Sequence, residues 1–173
     1  FLDTMEHRDA LRPDVVIASS RRMRVGGKSF DVHVTNHAVT DADVWLYDRN
    51  SRIAVVGDLV TIPAPFFETA CPREWSQALD AVWATPFTLA IPGHGEPMTR
   101  AQFDTYRSAF NAFMSCVNST RAASECAAEW ANGVATLEPS NEEFHGLAAP
   151  YGEYYTNMLR EHGGKSAGCQ LAN

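Results

Sequence analysis

The chain has 173 residues, enough to bury the core of one domain, and its 45% hydrophobic and 20% charged residues are typical of a globular protein. Its net charge of −7 argues against nucleic acid as the main partner, because phosphate binding needs clustered lysine and arginine. No apolar run approaches the roughly 20 residues that a membrane-spanning helix requires, so we expect no membrane partner.

The first half of the sequence predicts an antiparallel meander of strands. A short apolar run covers 14–18, and "RMRVGG" then ends in a glycine turn. Residues 29–37 alternate between apolar and polar side chains, which indicates a strand with His33 as a surface residue and His37 at its end. Two further apolar runs, 43–48 and 52–58, are separated by "RNS", which has the length of a hairpin turn.

The second half predicts mainly helices. One helix starts near Pro72, and an apolar strand over 87–95 runs into the loop "PGHG". Thr99 is a suitable N-cap for a long helix with an apolar stripe, and two shorter helices follow, the last from about Tyr151. No Pro-, Gly- or Ser-rich linker divides the chain. We therefore expect one domain over 1–173, in which 118–173 form a helical C-terminal extension.

Four cysteines are widely spaced at Cys71, Cys116, Cys126 and Cys169, without the C-x₂-C pairs of a structural zinc site. The even number suggests two disulfides and an oxidising compartment, either periplasmic or extracellular. Four buried free thiols in a cytoplasmic protein remain the alternative. If disulfides form, Cys116 and Cys126 flank a turn and pair most naturally, which leaves Cys71 with Cys169.

Two strand ends carry side chains suited to binding a metal. The strand over 52–58 ends in Gly57-Asp58, and the strand over 87–95 ends with His94 between two glycines. Glycines on both sides remove steric hindrance around the imidazole. Carboxylate and imidazole are both good zinc ligands, and a carboxylate can bridge two cations.

The order strand–GD, apolar loop, helix, strand–PGHG resembles the metallo-β-lactamase fold superfamily over roughly 13–117. The resemblance implies an α/β fold of the αββα sandwich type and a metal-dependent hydrolase with two zinc ions. It assigns Asp58 as the ligand that bridges the two metals and His94 as a ligand of the second. The implied nucleophile is a metal-bound hydroxide, which would attack an ester, amide, thioester or phosphodiester.

The sequence departs from that family in the loop "NHAVTDADVW". Aligning "TDAD" with the family pattern H-T-D-G-D puts Val39 where a histidine ligand should stand, and His37 lies two residues earlier. Either His37 reaches the metal through a different loop, or this ligand has been lost. We expect Asp41 and Asp43 to form the turn or to orient a ligand histidine.

A larger departure is that the family motif H-x-H-x-D-H occurs nowhere in the sequence. In the family this motif precedes the strands found here, and the first residue is Phe1. We therefore expect a single partial domain, the C-terminal half of the fold, whose partner is the missing N-terminal segment of the same protein. Such a half would hold its metals weakly and have little activity. It would also leave an apolar sheet face uncovered, through which copies could associate.

The alternative function is a non-catalytic interaction protein that kept the fold after losing its metal ligands. The loop over 61–72 allows two further interpretations, because Phe66 and Phe67 could either line a substrate pocket or fill the core. Glu68 could contact a substrate amine or only solvent. His7, His145 and His162 are expected to be structural or surface residues, with His145 in a loop.

Overall fold

A mixed sheet of six strands forms the frame of the molecule in the computed structural model, which describes residues 13–169. The strands lie side by side in chain order, and every neighbouring pair is antiparallel except β4 and β5, which are parallel. The predicted α/β class and antiparallel meander are confirmed. The strands are β1 (Arg21–Val25), β2 (Lys28–Asn36), β3 (Ala42–Asp48), β4 (Ile53–Gly57), β5 (Leu89–Pro92) and β6 (Met98–Thr99).

The predicted strand over 14–18 is wrong, because this segment forms no strand. Val15 and Val16 are exposed there. The segment reaches the sheet only near its end, where Ser20 Oγ accepts a hydrogen bond from the backbone of Val34 (2.9 Å). A short apolar run without a strand partner does not become a strand, since strand stability comes from cross-strand pairs.

Within residues 13–169, four helices contribute to the core beside the sheet: α1 (Pro72–Trp83), α2 (Arg100–Val117), α3 (Ala123–Val134) and α4 (Glu142–Glu161). The predicted cap of α2 is confirmed, because Thr99 Oγ1 accepts from the Gln102 backbone (3.3 Å) and the Gln102 side chain accepts from the Thr99 backbone (2.9 Å). The last helix starts earlier than predicted, because Asn141 Oδ1 caps it by accepting from Phe144 N (3.0 Å). His145 therefore lies in the helix and not in a loop.

The core lies between the helices and one face of the sheet. On β3 and β4 this face carries Trp45, Tyr47, Ala54 and Val56, all at most 4% exposed. The predicted apolar stripe of α2 is buried against it and consists of Phe103, Tyr106, Phe110, Phe113 and Val117. Burying each large apolar side chain contributes about 1.5–3 kcal/mol, so this layer supplies most of the driving force for folding.

The opposite face of the sheet is also apolar but is only partly covered by the described residues. We call it the open face. Cross-strand register aligns its side chains, with Val34 opposite Val44 and Leu46 opposite Val55. Val44 is 44% exposed, and only Val32 is fully buried. The open face comprises Phe30, Val32, Val34, Val44, Leu46, Ile53, Val55, Leu89 and Ile91.

The edge strand β1, "RRMRV", carries three arginines and is mostly exposed. Arg22 donates to Asp31 of the neighbouring strand (3.0 Å). Arg49 also donates to Asp31, and mainly this bond lowers the pKa of the Asp31 carboxyl. Among the described residues, the β1 edge of the sheet is therefore rich in positive charge.

Both expected disulfides are present, Cys71–Cys169 and Cys116–Cys126, with Cα–Cα distances of 5.0 and 5.4 Å. They fit an oxidising environment. Within 13–169, none of the helices is long and apolar enough to cross a membrane.

Candidate metal site

Asp58 is presented by a sharp turn at the end of β4. Gly57 adopts φ +54°, a left-handed conformation that glycine tolerates best. The chain then turns back through hydrogen bonds from Leu59 N to Val56 O (3.3 Å) and from Val60 N to Gly57 O (3.1 Å). Leu59 and Val60 are buried, whereas the Asp58 side chain is 55% exposed. Burial of the two apolar residues thus holds the carboxylate outward.

His94 is presented by the loop after β5, directly beside that turn. Gly93 N donates to Gly57 O (2.8 Å) and continues the pairing of the two parallel strands. A Cβ at Gly93 would overlap Asp58 Oδ1 and would lie 2.9 Å from both Asp58 N and Gly57 C. Glycine is therefore required here for the close approach of the two loops. Gly95, at φ +114°, completes the turn.

The two predicted ligands come together. His94 Nε2 lies 3.8 Å from Asp58 Oδ1, and both side chains are 55% exposed. Two donors of one tetrahedral zinc at normal bond lengths lie about 3.4 Å apart. A shift of a few tenths of an ångström in either side chain would let both atoms bind one ion, so the pair fits a metal as two of its ligands.

The structure does not bring a third ligand to this pair. Among the described residues, no group of three or more His, Cys, Asp or Glu side chains could hold a metal ion. His37 lies just beyond the end of β2 at φ +59°, so the extended conformation expected for it is wrong. Its role as a ligand stays a prediction. Val39 is buried in the core, and Asp43 forms the turn by accepting from the backbone of Val39 (2.9 Å) and of Thr40 (3.2 Å).

The other histidines have structural surroundings. His33 is less exposed than expected for a surface residue: it is partly buried, it stacks on buried Trp45 with ring centroids 3.8 Å apart, and burial lowers its pKa. His162 bonds the Met158 carbonyl through Nδ1 (2.9 Å) at the end of α4. His145 packs edge-on against Phe144. His7 lies outside the described residues.

A cleft of about 450 Å³ opens beside His94. Its far wall comes from the segment that joins α3 to α4 and from the start of α4, which the sequence did not associate with the site. No local pattern marks these residues as neighbours of His94; only the packing of the last two helices brings them there. The lining residues are Ile62, Pro63, Gly93, His94, Gly95, Glu138, Asn141, Glu143, Phe144 and Leu147.

In the aromatic loop after Asp58, neither phenylalanine lines the cleft, and Phe66 packs partly against the core. Phe66 contacts the His94 ring edge-on, with centroids 5.7 Å apart, whereas Phe67 is fully buried in the core. Glu68 accepts a hydrogen bond from the Tyr155 hydroxyl (2.7 Å). That bond adds to burial, which is the main cause of the raised Tyr155 pKa. Glu68 thus holds the loop against α4.

No protein-family model and no curated protein matches the sequence. Solved structures do resemble it in fold. A metallo-beta-lactamase from Pontibacter korlensis is 19% identical with a TM-score of 0.51, covering 64% of this chain and 55% of its own. A metallo-beta-lactamase family protein from Thermus thermophilus is 17% identical with a TM-score of 0.51, covering 88% and 50%. A stereoselective inverting sec-alkylsulfatase from Pseudomonas sp. is 14% identical with a TM-score of 0.53, covering 81% and 28%.

The chain thus spans about half the length, or less, of the solved structures that it resembles. The mixed sheet followed by helices is consistent with the fold that the resemblance of the sequence implied. In fold, the described residues thus resemble part of a metallo-beta-lactamase-fold structure.

Proposed function

We propose that this chain carries part of the active site of a metal-dependent hydrolase, with zinc as the metal. The observation that supports this is the 3.8 Å separation of Asp58 Oδ1 and His94 Nε2 at the ends of two adjacent parallel strands. Ligand clefts in open α/β sheets lie at the carboxyl ends of such strands. The similar structures include a metallo-beta-lactamase and a sec-alkylsulfatase, both hydrolases by name.

In this proposal Asp58 is both a metal ligand and the catalytic carboxylate, and His94 is a ligand. His37 is proposed as a third ligand that would need to move to join them. Zinc, when bound, activates water and polarises the scissile bond. The remaining ligands would come from a polypeptide segment outside these 173 residues. Consequently we expect weak metal binding and little activity from the chain alone, because a stable zinc site needs three or four protein ligands.

Titration with Co²⁺, a spectroscopic substitute for Zn²⁺, tests the pair. We expect one ion to bind weakly and to shift the NMR signals of His94 and Asp58, because two ligands give only part of a site. Asp58→Asn and His94→Gln should each weaken binding by at least tenfold, which corresponds to about 1.4 kcal/mol. His145→Gln is the matched control.

Two outcomes would contradict the proposal. If Asp58→Asn and His94→Gln bind Co²⁺ as the unchanged chain does, the pair is not the metal site. If metal analysis finds two tightly held zinc ions per chain, the chain does not carry only part of the site.

The alternative function, a non-catalytic interaction protein, draws support from Val39, which occupies the core where the family has a ligand. The absence of a third ligand among the described residues is consistent with it. Lack of any Co²⁺ binding would favour it over the hydrolase. For either function the two disulfides support a periplasmic or secreted location as our proposal.

We also propose that, in the chain alone, a second copy covers the open face. Apolar side chains on adjacent strands, most of them partly exposed, form a continuous patch there, and packing against the identical patch of a second copy would remove both patches from water. Analytical ultracentrifugation should detect a concentration-dependent dimer. Val44→Asp should abolish it, whereas Tyr154→Asp, on the 54% exposed Tyr154 of α4, should not. A monomer at high concentration would overturn the proposal.

A further inference from the structure

We propose that the cleft beside His94 binds a positively charged group attached to an apolar one, so that the hydrolase acts on cationic amphiphilic substrates. This rests on the proposed function, because the cleft and the candidate metal pair share His94. The volume of about 450 Å³ lies within the usual range for a small-molecule site. The question is which substrate chemistry its walls accept.

One carboxylate, that of Glu138, is held at the rim of the cleft in a defined orientation. Its Oε2 accepts a hydrogen bond from Asn141 Nδ2 (2.6 Å), and Asn141 is itself fixed as the cap of α4. The other oxygen, Oε1, faces the His94 loop, since a Cβ built on Gly95 would lie 3.3 Å from it. Asn141 therefore orients Glu138 so that one oxygen points toward the loop.

In the metal-free chain, the acidic side chains that line the cleft outnumber the basic ones. Two carboxylates, Glu138 and Glu143, line it, and neither lysine nor arginine is among its described lining residues. Glu138 is half-buried, which reduces solvent screening of its charge, whereas Glu143 is exposed and contributes less. An anionic group would be repelled here, and a primary ammonium or guanidinium group would be attracted.

The rest of the wall is apolar. Ile62 and Pro63 come from the loop after Asp58, and Phe144 and Leu147 come from the first turns of α4. Phe144 is buried and held in the core, so this side of the cleft is rigid. An apolar wall beside an oriented carboxylate favours a ligand with an alkyl or aromatic body and a cationic head within a few bonds of it.

The proposal can be tested without metal or activity. The EDTA-treated chain is titrated by NMR with three probes of similar size and different charge: phenethylammonium, phenethyl alcohol and 3-phenylpropionate. We expect phenethylammonium to bind about tenfold more tightly than the alcohol, the value of one charge-assisted hydrogen bond, and to shift the amide signals of Gly95, Glu138 and Leu147. 3-Phenylpropionate should bind more weakly than either.

Glu138→Gln should remove the preference for the cation, so that phenethylammonium and the alcohol bind about equally. The glutamine carbonyl can still accept from Asn141, so the start of α4 stays intact. Glu153→Gln, at an exposed position in α4, is the matched control. This variant should still bind phenethylammonium more tightly than the alcohol. Equal binding of all three probes, shifts mapping elsewhere, or a preference that survives in Glu138→Gln would overturn the proposal.

Its failure is distinguishable from failure of the proposed function. If Co²⁺ binding depends on Asp58 and His94 but the cleft shows no cation preference, the metal site stands and the substrate class is wrong. If the cation preference is present but Co²⁺ does not bind, the cleft is a binding site without the proposed chemistry.

Discussion

Replacing Gly93 by alanine is expected to lower the free energy of unfolding by about 2 kcal/mol and to abolish Co²⁺ binding at Asp58 and His94. An added Cβ would lie 2.9 Å from both Asp58 N and Gly57 C, which are backbone atoms of the neighbouring loop. Overpacking of this kind costs about 1–3 kcal/mol. The two loops must separate to admit the methyl group, and the distance between the two ligands then increases. Urea unfolding and Co²⁺ titration measure the two effects.

Gly146→Ala is the control for this substitution. Nothing lies within 4 Å of a Cβ at Gly146, which is in α4, so alanine there should stabilise the chain by about 0.5–1 kcal/mol. The double variant Gly93→Ala/Asp58→Ala distinguishes the contact of the added methyl group with the Asp58 side chain from its contact with the backbone of the neighbouring loop. If it recovers full stability, the contact with the Asp58 side chain sets the cost and not the backbone contact. Unchanged unfolding and metal binding in Gly93→Ala would show that the two loops do not pack as described.

Removing the Cys71–Cys169 disulfide is expected to have the largest effect on stability, about 4–5 kcal/mol. In the chain-entropy model the stabilisation increases with the length of the closed loop, and these cysteines are separated by 98 positions. The Cys116–Cys126 disulfide closes a loop of 10 positions and should contribute only about 2–3 kcal/mol. Urea unfolding of the two Cys→Ala double variants, compared with the oxidised chain, measures both values.

The native packing around Cys71 supports the larger value. Cys71 precedes α1 and donates its backbone N–H to Ala38 O (2.9 Å), while Ser166 Oγ donates to Ala70 O (2.8 Å). The end of the described chain thus packs against the loop before α1. The disulfide links two segments that a hydrogen bond also holds together. If the two double variants lose equal stability, loop length does not determine the contribution and the chain-entropy argument fails for this protein.

The central strands and the two metal-ligand candidates could be predicted from the sequence because local patterns encode them. The alternation of apolar and polar residues indicated β2, and the apolar runs that lead to Gly57 and Pro92 indicated β4 and β5. Glycines beside Asp58 and His94 marked the two loops, but the close approach of the loops at Gly93 is seen only in the structure.

Features that depend on contacts distant in sequence could not be predicted. The apolar run over 14–18 has the composition of a strand, but no partner pairs with it. The start of α4 is an exception, because its Asn141 cap is local, and the predicted start near Tyr151 omitted the first turns of the helix. Glu138 reaches the His94 loop only because α3 and α4 pack against the loop after Asp58, where Trp130 Nε1 donates to Pro63 O (3.0 Å).

The three arginines of β1 limit how copies of this chain can aggregate. An uncapped strand with free N–H and C=O groups is a template on which further strands can add without end, as in a fibril. Two β1 edges brought side by side would place guanidinium groups against guanidinium groups, and their repulsion opposes such growth. In the proposed dimer, copies associate through the open face, and this repulsion disfavours the competing association through β1.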